Sequence, residues 1–186
     1  MRVLKKTILG CATLALCVIA LFHFKHRAWP YGVRTCCLPC MMSSLRCYAY
    51  DHEGWYPKGG RNPVDSLRIL TDKPDYIGNP ELLAGISGDR EATKKRITLG
   101  LPIDDTVSSW VYFPGFCESD DSKLAIIWER HEGIGFNGHL SNGHAVGFAD
   151  GHHEQVPQAR WAQFLSEQQT LRQATFARRL TSSLTP

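Results

Sequence analysis

Eighteen consecutive residues, Thr7 to Phe24 (TILGCATLALCVIALFHF), contain no Asp, Glu, Lys or Arg, and this run limits what the chain can fold into more than any other feature. As a helix rising about 1.5 Å per residue it spans roughly 27 Å, close to the hydrocarbon thickness of a bilayer. A cleaved signal peptide would have a shorter apolar stretch ending in small residues, whereas this run ends in His23-Phe24-Lys25-His26. Ile8-Leu9-Gly10-Cys11 resembles a lipidation box, but few apolar residues precede Cys11 and the run continues well past it. Basic residues flank both ends, Arg2, Lys5 and Lys6 before it and Lys25, Arg27 and Arg34 after it. The expectation is a cytoplasmic tip and transmembrane anchor over residues 1–28, with the lipid bilayer as partner. The chain then reads as a single-pass inner-membrane protein with its C-terminal domain extracytoplasmic.

Beyond the anchor, roughly 160 residues suffice for one domain with its own core but are few for two. A juxtamembrane segment and helix fill 29–60, a globular domain 61–181 and a short tail 182–186. The formal net charge of +3 is spread along the chain, without a basic run interleaved with aromatics; this argues against nucleic acid as a partner. No phosphate-binding glycine loop, nucleophile elbow or paired-carboxylate pattern is present, so no cofactor and no small-molecule substrate is implied.

Trp29-Pro30-Tyr31-Gly32 reads as a break at the membrane surface, where Trp and Tyr commonly anchor. From Cys37 to Asp51, the apolar positions Cys37, Met41, Leu45, Tyr48 and Ala49 recur at helical spacing, with Gly54 the expected C′ residue. Asp65 to Leu70 reads as a short helix capped by Asp65, and Lys73 to Leu101 as irregular chain broken by Pro74, Gly78, Pro80, Gly85 and Gly88. Val107 to Phe113 and Leu124 to Trp128 read as paired strands around an acidic turn at Asp120-Asp121. Asp150-Gly151 suits a two-residue type I′ hairpin that sets Phe148 opposite His153. Pro157 then starts an amphipathic helix with Trp161, Phe164, Leu165, Leu171, Phe176 and Leu180 on one stripe. The fold class is therefore α+β: an N-terminal transmembrane and amphipathic helix packed on a small antiparallel sheet, with a C-terminal amphipathic helix.

Four stretches carry a resemblance to a known group. Cys40-Met41-Met42-Ser43-Ser44-Leu45-Arg46, Tyr50 to Pro57, Ser109-Trp110-Val111-Tyr112 with Pro114-Gly115, and Phe148-Ala149-Asp150-Gly151-His152 follow one another as in bacterial prepilin-like proteins. These are related to the pseudopilins of type II secretion and have a C-terminal His-x9-Asp-Gly motif. Here Leu140 stands ten residues before Asp150, and His139 one further back. Ala15 stands where the family has a Glu five residues into the processed helix. The resemblance implies a non-catalytic, membrane-anchored envelope protein that assembles with other pseudopilin-like or secretion-system subunits.

Three constellations suggest chemistry of their own. His139, His144, Asp150 and His152 are candidate metal ligands, because imidazole and carboxylate bind zinc where three or four converge. The simpler expectation is that Asp150, Gly151 and His152 form a turn, since neighbouring strand residues such as His152 and His153 point to opposite faces. Cys37-Leu38-Pro39-Cys40 has the spacing of a thiol-disulfide pair, and a membrane-tethered redox protein is the alternative function. Asp51, Glu53, Asp120 and Asp121 could bind calcium as acidic loops, and solvated turns explain them as well.

Overall fold

The fold grows from a four-stranded sheet whose two central strands are apolar on both sides. The computed structural model describes residues 2–28, 38–72 and 76–183. The strands are β1 (Trp110–Tyr112), β2 (Ala125–Glu129), β3 (His144–Phe148) and β4 (His153–Val156). They lie in the order β1-β2-β3-β4, each antiparallel to its neighbour. Every residue of β2 and β3 is buried, which requires a sheet covered on both faces rather than one with a wet side.

Helix α2 (Leu38–Asp51) covers one face and helix α4 (Trp161–Ser183) the other. Met41, Met42 and Leu45 of α2 join Ala145, Ile126 and Ile127 in the larger core. Phe164 of α4 joins Val146, Phe148 and Trp128 in a second, aromatic one. Gly147 permits the close approach of α2, because a Cβ there would lie 2.2 Å from the Met42 sulfur. A register shift between Ala125 and Ile127 turns Ile126 and Ile127 both toward α2, as a β-bulge does.

The expected pairing of the 107–113 and 124–128 segments is present as β1 and β2, though β1 is only three residues long. Residues 107–109 bond instead to the chain before helix α3 (Arg90–Thr98). Asp89 N–H donates to Val107 O (2.9 Å), and Ser109 N–H donates to Ala84 O (2.8 Å). The segment expected to be irregular thus contains α3, capped by the Asp89 carboxylate on the Ala92 N–H, and a short 3-10 turn at Pro80–Ala84. Only Thr93 of α3 is buried, so no apolar stripe announces it.

Other corrections concern ends and caps. Helix α2 ends with Gly54 N–H on Ala49 O; Glu53 (φ 56°) takes the left-handed C′ position expected of Gly54, and Gly54 (φ 83°) follows it with positive φ as well. The 65–70 segment is a 3-10 helix, Val64–Thr71. Asp65 is no exposed cap there: it is buried and accepts from the N–H groups of Arg61 (3.0 Å) and Ile103 (2.9 Å). On α4 the buried positions are Phe164, Gln168 and Thr175, while Leu165, Phe176 and Leu180 of the expected stripe are exposed. Gln168 is buried because its amide replaces sheet bonds, accepting from Ala125 N–H (2.7 Å) and donating to Lys123 O (2.9 Å). Arg172 and Arg179 lie on the packing face: Arg172 sits 3.5 Å from the centre of the Phe113 ring. Arg179 pairs with Asp120 and lies over Trp55 at 4.7 Å.

Helix α1 (Arg2–Ala28) stands apart. It is α2, not α1, that packs on the sheet, and every side chain described on α1, residues 13–26, is exposed. Among the described residues no helix is long and apolar enough to cross a membrane.

Candidate functional site

The terminal hairpin forms at the predicted place with a different turn. Phe148 N–H donates to His152 O and Gly151 N–H to Phe148 O, both at 3.0 Å. Ala149-Asp150-Gly151 is therefore a three-residue loop, and Phe148 faces His152 rather than His153. A type I′ turn needs positive φ at both central residues. Here Gly151 (φ 90°) has it and Asp150 does not, the pattern of a type I turn closed by a left-handed glycine. Two contacts hold this choice. The Ala149 carbonyl is drawn inward by the Tyr56 hydroxyl (2.5 Å), and the Asp150 carboxylate accepts from the His152 N–H (3.1 Å) and ring. Burial works to raise the Asp150 carboxyl, but the His152 backbone and ring bonds and charge outweigh it, leaving it below the ordinary carboxylate value.

The candidate metal ligands do not converge. His152 stacks on Phe148 at 4.2 Å and faces Asp150. His144 is buried, stacked at 3.7 Å on Trp161, with Nδ1 3.1 Å from Glu129 O. His139 places Nδ1 2.6 Å from Leu140 O. Among the described residues no group of three or more His, Cys, Asp or Glu could hold a metal ion. The acidic loops are likewise spoken for: Asp51 accepts from the Tyr76 hydroxyl (2.8 Å), and Asp120 from the Cys117 N–H (2.8 Å) beside Arg179. Cys40 lies half-buried in the first turn of α2, and Cys37 lies outside the described residues. Cys17, Cys47 and Cys117 are free thiols.

One fully buried carboxylate with several partners is a group the sequence does not advertise. Glu129, fully buried at the end of β2, accepts from Ile86 N–H (2.9 Å), the Ser109 hydroxyl (2.8 Å) and the Ser87 hydroxyl (2.6 Å). Ser87 Oγ also lies 2.7 Å from His131 Nδ1. Since the Ser87 proton goes to the carboxylate, His131 faces Ser87 as a donor through Nδ1, on a side chain that is 56% exposed. A nucleophilic triad places hydroxyl and carboxylate on opposite imidazole nitrogens. Here both lie on the Nδ1 side with the hydroxyl between, so Ser87 is a bridge and not a presented nucleophile. The cluster clips the chain before α3 to the sheet. A strand-end Glu after an apolar run was its only sequence signal.

Tyrosines mark the rest of the interior. Burial, with a lesser push from Glu118, raises the Tyr56 phenol well above its ordinary value, and burial does the same to Tyr112, whose hydroxyl donates to Pro57 O (2.7 Å). No family model, curated protein or solved structure matches this chain.

Proposed function

We propose that this is a membrane-anchored, pseudopilin-like envelope protein that acts by assembling with other envelope subunits, its domain held outside the cytoplasm by α1. One observation carries the reading: Leu14, Leu16, Val18, Ile19, Leu21, Phe22 and Phe24 are all 58–72% exposed. A helix turns roughly 100° per residue, so these side chains point to every side and no single partner face accounts for them. At about 1.5–3 kcal/mol per fully buried apolar side chain, the seven leave roughly 10–20 kcal/mol of burial unrealised. That equals or exceeds the net stability of a typical domain, about 5–15 kcal/mol. Lipid surrounding the helix on all sides recovers it. The order of α2, sheet and terminal hairpin supports the resemblance to pseudopilins, while α4 on the second face is an addition to it. Full-length protein is expected to pellet with membranes after alkaline carbonate washing, and its domain to be cut by protease added to spheroplasts. A carbonate-soluble protein, or a domain protected until lysis, refutes the anchor or its orientation.

A further inference from the structure

The two ends of the domain differ, and the chain from α1 enters at one of them. A Cβ on Gly147 would meet the Met42 sulfur, and one on Gly151 the Arg46 Cδ. Helix α2 therefore runs in the direction of β3, from the His144 end toward the terminal turn. Leu38, its first residue, lies about 6 Å behind Met42 along the helix axis and is fully buried. Nine residues join Ala28, the end of α1, to Leu38. Those ten Cα steps reach about 35 Å at full extension. With α1 in a bilayer, the His144 end is the part of the domain held next to it, and the terminal turn points away.

That end presents a leucine on a tied loop. Residues 133–143, between β2 and β3, are closed by bonds from Gly133 N–H to Gly143 O (2.9 Å), Ser141 N–H to Gly133 O (2.9 Å) and Gly135 N–H to His139 O (2.8 Å). Ile134 and Phe136 turn in to the larger core, whereas Leu140 is left 45% exposed. Arg130 and Arg160 are exposed at the same end, Arg130 just before this loop and Arg160 just before Trp161, which stacks on His144. The acids beside them are Glu132 and Asp105, the latter 3.5 Å from Arg130. The far end is more acidic: Asp51 and Glu53 close α2, Glu118, Asp120 and Asp121 lead into β2, and Asp150 sits in the terminal turn. A single exposed leucine on a free domain needs no partner. On a domain tied within reach of a bilayer it has one.

We infer that this end of the domain rests on the bilayer surface, with Leu140 entering the headgroup boundary and Arg130 and Arg160 facing lipid phosphates. This rests on the reading of α1 as a membrane anchor. Lipid suits the end because it accepts an apolar tip and two cations without a shaped counterpart. One leucine and two arginines would hold a free protein weakly. The tether makes the contact intramolecular, so that weak contacts suffice. The same posture turns the acidic end outward, away from the lipid phosphates.

The test places the photocrosslinker p-benzoylphenylalanine at Leu140 or, as a control on the far end of α2, at Tyr50, which is 88% exposed. Each full-length protein is reconstituted into vesicles of phosphatidylethanolamine and phosphatidylglycerol and irradiated, and lipid adducts are counted by mass spectrometry. Adducts are expected at least fivefold more often at 140 than at 50. Combining Arg130→Glu with Arg160→Glu, in protein shown by circular dichroism to be folded, should lower the yield at 140 threefold or more. Equal yields at the two positions overturn the inference, as does a yield at 140 that charge reversal leaves unchanged. Carbonate extraction is scored separately on the same proteins. Protein that pellets with membranes but gives no adduct at 140 refutes the surface contact alone, and protein released by carbonate refutes the anchor.

Discussion

Replacing Gly147 with alanine tests the packing of α2 on the sheet more sharply than any other change. The new Cβ would lie 2.2 Å from Met42 Sδ and 3.0 Å from Ile127 Cγ2. Ordinary contact begins near 3.5 Å, so helix or thioether must retreat by roughly 1.3 Å. Met42 is 2% exposed and has little room to swing, which places the cost at about 1–3 kcal/mol. For a domain of this size, at about 2–4 °C per kcal/mol, the melting temperature should fall by roughly 2–12 °C. Met42→Ala alone opens a cavity and costs about 2–5 kcal/mol. In the double variant the new methyl enters the space the thioether left, so the two effects should sum to less than their parts by about 1 kcal/mol or more. Thermal unfolding of the four full-length proteins in detergent, followed by circular dichroism, measures the cycle. Strictly additive effects refute α2 lying against Gly147.

Three other perturbations probe the remaining polar contacts. Glu129→Ala strands the Ile86 N–H and removes the acceptor of the Ser87 and Ser109 hydroxyls; a loss of about 1–3 kcal/mol is expected for the unsatisfied N–H alone, with hydrogen exchange at Ile86 accelerating before exchange in β3, and unchanged protection there would show that the clip holds nothing. The depressed Asp150 carboxyl contributes stability that is present above its unfolded value and lost as pH falls through its folded one. Amide exchange at Gly151 and His152 should therefore rise in that acid window in the parent protein, and Asp150→Asn should remove the pH dependence. Tyr56 and Tyr112 stay neutral in the folded state where their unfolded counterparts ionise, so stability is intact below the ordinary value of 10.0 and falls as pH rises above it. The slope is about 1.4 kcal/mol per pH unit for each tyrosine. Tyrosinate absorbance should appear together with unfolding, and its appearance in folded protein at these two positions would refute the burial argument.

What the sequence reveals of this fold divides by the range of the interaction that decides each part. Helix α2 and the β1–β2 pair are legible because their apolar spacing and turn residues are local. The terminal hairpin is legible as a hairpin, but its turn is not. Asp-Gly satisfies two turn types, and the choice falls to the Tyr56 hydroxyl, which reaches Ala149 across 93 residues of chain. Helix α3 escapes because it is held by its Asp89 cap and by Thr93, which donates to Val107 O at 3.2 Å, rather than by an apolar stripe. The buried face of α4 is misread for the opposite reason: Gln168 and Arg172 lie on it because a register shift in β2 leaves Ala125 backbone groups in need of partners, and a shift of that kind has no signature in composition or period.

The same division explains why the histidines suggested a metal and the glutamate went unnoticed. His139, His144 and His152 are close in sequence but are held by Leu140 O, Glu129 O and Asp150 respectively. Glu129 draws its donors from 20 to 43 residues away, where no spacing rule links them. A charged residue closing an apolar strand is read from sequence as the place where the strand surfaces. Here it is where the chain folds back over the strand end, and a buried carboxylate needs that cover because each of its lone pairs must be met. The N-terminal helix is the converse case. Its apolar character is wholly local and plain in the sequence, and folding of the domain leaves every side chain described on it, residues 13–26, exposed.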